Sequence, residues 1–263
     1  MCKGEIYMTQ EEMNRLVPEK LREIEDMYDV TVLWAIESGS RAWGFASPDS
    51  DFDVRFIYKR KSESYLKLNP GRDVIELPID DTWDVSGWDL DKTLKLLQKS
   101  NPTLYEWLRS PIKYKDTDFA RRIAPLMEDC FAEDKMIYHY LNTAKHHIRD
   151  YLLGDSVRPK KYFYALRPVL ACIWIRNYHT APPVLFDRLY STVLPENLKS
   201  SVDYLLELKI NAPENVEISP IKEIGDFLNS QVSEIECYLN TVIHKPNPNW
   251  DSLNEFFLSE IFR

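Results

Sequence analysis

The stretch Gly39-Ser40-Arg41-Ala42-Trp43-Gly44-Phe45-Ala46-Ser47-Pro48-Asp49-Ser50-Asp51-Phe52-Asp53 decides how this chain reads. It follows VTVLWAI at Val30 to Ile36, a β-branched and aromatic run long enough for a buried strand and too short for a helix. The Gly-Ser pair predicts a tight turn out of that strand, with Ala42 to Phe45 as a short helical turn before a break at Ser47, Pro48 and Asp49. A second strand, FDVRFIY from Phe52 to Tyr58, then begins beside two aspartates.

The residue types in this stretch suit phosphate and metal chemistry. A glycine-serine turn at a helix start presents backbone N–H groups and a hydroxyl to a phosphate, and the helix dipole favours the negative charge. Gly39 permits close approach of the backbone and Ser40 supplies a hydrogen bond. Arg41 follows directly and is a candidate for the same phosphates, or else pairs with Glu37 or Asp49. Asp51 and Asp53, one residue apart at a strand start, point to one face and can hold Mg²⁺, with Mn²⁺ as the alternative. Phe52 and Val54 then fill the opposite, apolar layer. Two such ions about 3.5 to 4 Å apart can activate an attacking hydroxyl and neutralise a leaving pyrophosphate. A plainer reading is a strand-turn-strand with an Asx-type turn at Asp49 to Asp51. The coincidence of phosphate turn and acid pair, in that order, favours the metal.

Upstream, Thr9 and Glu12 form a T-x-x-E capping box that predicts a helix to about Met27, with Pro18 as a candidate break. Downstream, Val74 to Ile79 and Thr82 to Val85 are further candidate strands, Pro78 marking an edge or a strand end. Leu90, Leu94 and Leu97 then recur at helical spacing, and a new helix starts with Asn101 as cap and Pro102 at its first position. Predicted helices follow over about 118–127, 135–152, 160–178 with a candidate kink at Pro168, 196–208, 219–241 and 250–261. The character changes from mixed to helical near residues 110 to 134. On the helix from Lys160, the residues Lys160, Tyr164 and Arg167 form a polar stripe at i, i+4 and i+7, beside an apolar one at Phe163, Leu170 and Trp174. With Lys161, that stripe is a candidate grip for a triphosphate or RNA phosphate, or an ordinary solvated face.

Composition bounds the reading. The 263 residues suffice for a real core, in one large domain or two ordinary ones. A formal charge of -9 gives no global attraction to nucleic acid, so any polyanion must meet a local basic patch. Cys2, Cys130, Cys172 and Cys237 are too scattered for a zinc ribbon or a disulfide framework and fit a reducing cytoplasm. His139, His146 and His147 share a helix without the partners of a zinc site. No signal peptide or run of roughly 18 apolar residues is present, which predicts a soluble protein with no membrane partner. The seven tryptophans, Trp83, Trp88 and Trp107 among them, read as core packing.

The stretch from Gly39 to Asp53 resembles the signature of the DNA polymerase beta-like nucleotidyltransferase superfamily. Asp84 to Leu90, Lys99 to Pro102, Glu106 to Leu108, Ser110 to Ile112 and Lys160 to Pro168 resemble one branch of it, the nucleotidyltransferases associated with RNA ligases in RNA repair. This resemblance covers most of the chain. It implies an α/β (α+β) mixed-sheet catalytic domain, placed at 1–115, and an all-helical domain at 116–263 that closes the cleft. It implies Mg²⁺, an NTP donor with ATP foremost, and a third carboxylate, for which Asp84 is preferred and Glu76 competes. The implied acceptor is an RNA end. A protein or small-molecule acceptor, as in antitoxin-like or antibiotic-modifying members, and a non-catalytic nucleotide-binding module are the alternatives.

Overall fold

Thr9 starts the first helix by reciprocal capping: its hydroxyl accepts from the Glu12 N–H at 3.2 Å, and its own N–H donates to the Glu12 carboxylate at 2.7 Å. The computed structural model describes residues 8–47, 50–69, 71–78, 83–213 and 215–263. Helix α1 (Gln10–Tyr28) runs straight through Pro18. The expected break is absent because Met13, Val17, Leu21 and Ile24 are buried on both sides of the proline, and that packing outweighs one lost backbone hydrogen bond.

Strand β1 (Val30–Glu37), helix α2 (Gly39–Trp43) and strand β2 (Phe52–Arg60) follow, with α2 starting at Gly39 rather than Ala42. A single-turn helix α3 (Ser62–Tyr65) and a short strand β3 (Val74–Glu76) lead to β4 (Trp83–Asp89). The expected strand to Ile79 stops at Glu76; Ile79, and Thr82 ahead of β4, lie outside the described residues. After α4 (Leu90–Gln98) and α5 (Pro102–Leu108), β5 (Lys113–Asp116) completes a five-stranded sheet in the order β3-β4-β2-β1-β5. The β2–β4 pair is parallel and the other pairs antiparallel. Asn101 caps α5 as its sequence predicts, accepting from the Leu104 N–H.

Helices α6 (Phe119–Cys130), α7 (Glu133–Tyr151), α8 (Pro159–Tyr178), α9 (Phe186–Val193), α10 (Lys199–Asn211), α11 (Lys222–Leu239) and α12 (Trp250–Ile261) make up the rest, with a 3₁₀ turn at Glu196–Leu198. The fold is thus a mixed α/β sheet with flanking helices followed by a helical half. None of the helices among the described residues is long and apolar enough to cross a membrane.

Two cores enclose the sheet. On one face α1 packs on Val32, Ala35, Phe52, Val54, Phe56, Tyr58 and Val85. On the other, Leu33, Trp34, Ile36 and Ile57 join α4 to α8 and the later helices in one continuous core. β1 is covered on both faces, which is why its sequence is unbroken apolar rather than alternating. β2 alternates: Phe52, Val54 and Phe56 face α1, so Asp53, Arg55 and Ile57 face the helical half. Trp88 and Trp107 stack at 3.8 Å, tying β4 to α5.

Gly87 pairs with Phe56 across β2 and β4, and a Cβ at Gly87 would lie 2.2 Å from the Phe56 ring. Gly87→Ala is therefore expected to cost about 1–3 kcal/mol through overpacking. A thermal melt checks this, and an unchanged Tm would contradict the packing.

Candidate active site

Backbone register assembles the acidic centre. Asp53 lies opposite Asp84 in the parallel β2–β4 pair, so both carboxylates emerge on the face turned towards the helical half. Arg55 stands two residues beyond Asp53 on the same face. Its Nη2 donates to Asp53 Oδ1 at 2.9 Å and to Asp84 Oδ2 at 2.7 Å, while Nη1 donates to the Asp84 carbonyl at 2.8 Å. One guanidinium thus fixes the spacing of two like charges. Asp51 is exposed at the mouth. Burial raises the Asp53 carboxyl above the usual range; Arg55 works against this, and the Asp84 and Asp51 charges add to it. Glu76 is elsewhere, on β3 opposite Ser86, in an exposed ion pair with Arg72. The strand register brings Asp84, and not Glu76, to Asp53.

Gly39 adopts φ +59°, and a Cβ there would sit 2.0 Å from Asp53 Oδ2. Only glycine lets the turn after β1 lie against that carboxylate. Behind the strand, the fully buried Glu37 accepts from the Asp53 N–H at 2.7 Å and from the Tyr114 hydroxyl at 2.5 Å. Burial pushes Glu37 up to about 7, with these two hydrogen bonds opposing the shift.

Gly39, Ser40, Trp43, Asp51, Asp53, Lys160, Tyr164 and Lys209 line one cleft of about 140 Å³. Ligand pockets typically run from about 300 Å³. The volume therefore suits the phosphate end of a nucleotide, with the remainder outside. Tyr164 meets Trp43 edge-on at 6.1 Å, forming the aromatic wall.

The other sequence candidates lie outside this lining. Among the described residues Arg41 makes no ion pair with Glu37: it donates to the Ser50 carbonyl at 2.6 Å and the Asp51 carbonyl at 3.3 Å, with its guanidinium 3.6 Å from the Phe52 ring centroid. Asp49, its other proposed partner, lies outside the described residues. Arg41 thus shapes the loop that carries Asp51. Lys161 sits 3.6 Å over the Tyr151 ring. Arg167 is only 4% exposed, bound to Glu106 at 2.9 Å and 4.5 Å from the Trp43 ring, so it braces the cleft wall from behind.

Three residues of this site were not among the sequence-predicted site residues. Arg55 was legible, since period-2 alternation puts it on the face of Asp53. Glu37 gave no signal beyond ending a strand. Lys209 gave none: it lies on α10 among apolar residues, yet its Nζ donates to Ser47 Oγ at 2.8 Å and contacts Ser50 Oγ at 3.4 Å, at 8% exposure.

Among the described residues, no three His, Cys, Asp or Glu side chains converge into a self-sufficient metal cluster. The donors still fit Mg²⁺ or Mn²⁺ in kind. They are carboxylate oxygens, and Mg²⁺ is usually held by one or two carboxylates together with substrate phosphates. Asp53 is raised by burial first and by the Asp84 and Asp51 charges after it, and an added cation would offset both.

The sequence profile of RlaP, the RNA repair pathway DNA polymerase beta family, matches residues 13–259. The chain belongs to that family. As an RlaP-family protein it is nucleotidyltransferase-like, of the DNA polymerase beta type. The uncharacterized protein YcgL of Bacillus subtilis (strain 168) is 44% identical over 225 residues, covering 85% of this chain and 86% of that one. A crystal structure of a nucleotidyltransferase-like protein from Exiguobacterium sibiricum 255-15 is 10% identical, covering 86% of this chain and 75% of that one at a TM-score of 0.32, too distant a likeness to assign anything.

Glu37 gives the site a stability signature. Well below pH 4.5 the carboxyl is neutral in folded and unfolded chains alike. Between 4.5 and about 7 the unfolded chain ionises first, so the Glu37 contribution to folding stability falls with rising pH and then levels off. Glu37→Gln is expected to remove this loss, gaining roughly 3 kcal/mol on wild type between pH 5 and pH 8. Urea midpoints at the two pH values measure it; parallel profiles would contradict a raised Glu37.

Proposed function

We propose that this RlaP-family protein is a Mg²⁺-dependent nucleotidyltransferase that moves a nucleoside monophosphate from an NTP, ATP foremost, to the hydroxyl of an RNA end in RNA repair. The observation that carries the reading is the convergence of the Gly39-Ser40 turn, Asp51, Asp53 and the two lysines Lys160 and Lys209 on one cleft. Acid pair, phosphate turn and cations from a separate helical layer are the parts that nucleotidyl transfer needs.

Divalent cations held by Asp51 and Asp53, with Asp84 as third carboxylate, would supply Lewis-acid charge neutralisation for the attacking and leaving oxygens. The chain's own groups do the rest. The Ser40 hydroxyl and the backbone after Gly39 orient the β- and γ-phosphates. Lys160 and Lys209 offset phosphate charge from the opposite wall, and Trp43 with Tyr164 narrows the cleft against water. Arg55 keeps Asp84 beside Asp53. The acceptor oxygen forms a bond to the α-phosphorus as the bond from that phosphorus to the bridging oxygen breaks. The electron pair leaves with pyrophosphate, and the acceptor's O–H proton is released.

The test is transfer of α-³²P from each NTP, with Mg²⁺, to RNA, to cell protein and to a metabolite pool. Wild type is expected to label RNA ends and Asp51→Ala/Asp53→Ala to label nothing. Gly39→Ala, which displaces the Asp53 carboxylate, is expected to lose about 10²-fold in rate, the usual scale for a misplacement near 1 Å. Label on protein or metabolites would replace the acceptor; no label in any pool would sink the transferase reading.

A further inference from the structure

A second concavity, of about 530 Å³, lies between the α4–α5 corner and one face of α7. Lys99 and Asn101 line it from the corner; Lys135, Tyr138, His139 and His146 line it from α7, spaced at i, i+3, i+4 and i+11 along one helical stripe. Among the described residues no aspartate or glutamate lines it, in a chain with 42 acidic and 33 basic residues. The neighbouring acids are engaged: Asp134 pairs with His244, Glu133 with His179, Asp150 with Arg149 and His146, and Glu106 with Arg167. Lys135 donates to Asn247, a neutral group, and has no ion pair among the described residues. Tyr138 is 64% exposed, a large aromatic face turned outwards.

This groove connects to the catalytic cleft through aromatic side chains. His146 contacts His147 at 5.4 Å between ring centroids, His147 contacts Tyr164 at 5.4 Å, and Tyr164 contacts Trp43 in the cleft wall. The volume exceeds that of the cleft itself, and rings interleaved with cations are the surface on which a single strand stacks its bases and neutralises its phosphates.

We propose that this groove holds single-stranded RNA leading its 3′ or 5′ end into the catalytic cleft. The proposal rests on the RNA-acceptor reading of the active site. It supplies the local basic patch that an acidic protein needs to meet a polyanion. Lys99 and Lys135 neutralise two backbone phosphates, Tyr138 and His139 stack bases, and the His146–His147 step leads to the cleft.

The experiment is fluorescence anisotropy of a labelled 12-nucleotide single-stranded RNA with the full chain, beside the transfer assay on the same RNA. Lys99→Glu/Lys135→Glu is expected to bind at least about 10-fold more weakly and to flatten the log–log salt dependence by about 1.4, two contacts at about 0.7 each. Tyr138→Ala, at an exposed site that the fold does not need, is expected to weaken binding at least about 5-fold without changing the salt slope. Asp51→Ala/Asp53→Ala is expected to bind the RNA while transferring nothing. If wild type labels RNA and both groove variants bind and label as it does, the groove is overturned while the acceptor reading stands. If wild type neither binds nor labels RNA, the acceptor reading itself fails and takes the groove with it.

Discussion

The parallel register of β2 against β4 is the constraint on which the rest of the structure depends. It sets Asp53 beside Asp84 on a half-buried face, where burial penalises the charge on Asp53 and the neighbouring carboxylate adds to that penalty. Such a pair persists only if cationic partners are built in, and Arg55 bridges both acids from the same strand. Gly39 is forced by the same geometry, because the turn after β1 has to pass within contact of the Asp53 carboxylate. Further cations come from the helical half, where Lys160 and Lys209 close the opposite side of the cleft.

That division of labour explains why the helical half shares a core with the sheet. Leu33, Trp34, Ile36 and Ile57 pack into the same apolar cluster as α7 and α8, so the helices are seated on the sheet and the wall facing Asp53 is held in place. β5 spans residue 115, the expected domain limit, and pairs with β1, so the sheet extends to Asp116. Arg167 shows how the wall is stiffened: bound to Glu106 and over Trp43, it holds an aromatic ring of the cleft without entering it. Lys209 pins the loop before Asp51 through Ser47 and Ser50.

The legible parts of this fold and site were those with a local cause. β1, β2, the Thr9 and Asn101 caps and the shared face of Asp51 and Asp53 follow from period, propensity and capping chemistry within a few residues. β5 was not legible because KYKD is polar, and it is a strand only through pairing with β1 at the sheet edge. α9 and the break of the expected helix at 196–208 into a 3₁₀ turn and α10 likewise depend on packing. Lys160 and Tyr164 could be picked by helical spacing, whereas Arg167 on the same stripe turns into the interior to meet Glu106, a partner 61 residues away. Lys209 joins residues some 160 positions apart, and no window of sequence carries that information.

Thermal unfolding with a non-hydrolysable NTP analogue, with and without Mg²⁺, tests most directly whether this acid centre is a cation-dependent nucleotide site. The account predicts that analogue and Mg²⁺ together raise Tm more than the sum of either alone, by mass action on the folded state, and that Asp53→Asn abolishes the joint effect. Equal stabilisation by the analogue without Mg²⁺, or in Asp53→Asn, would contradict it.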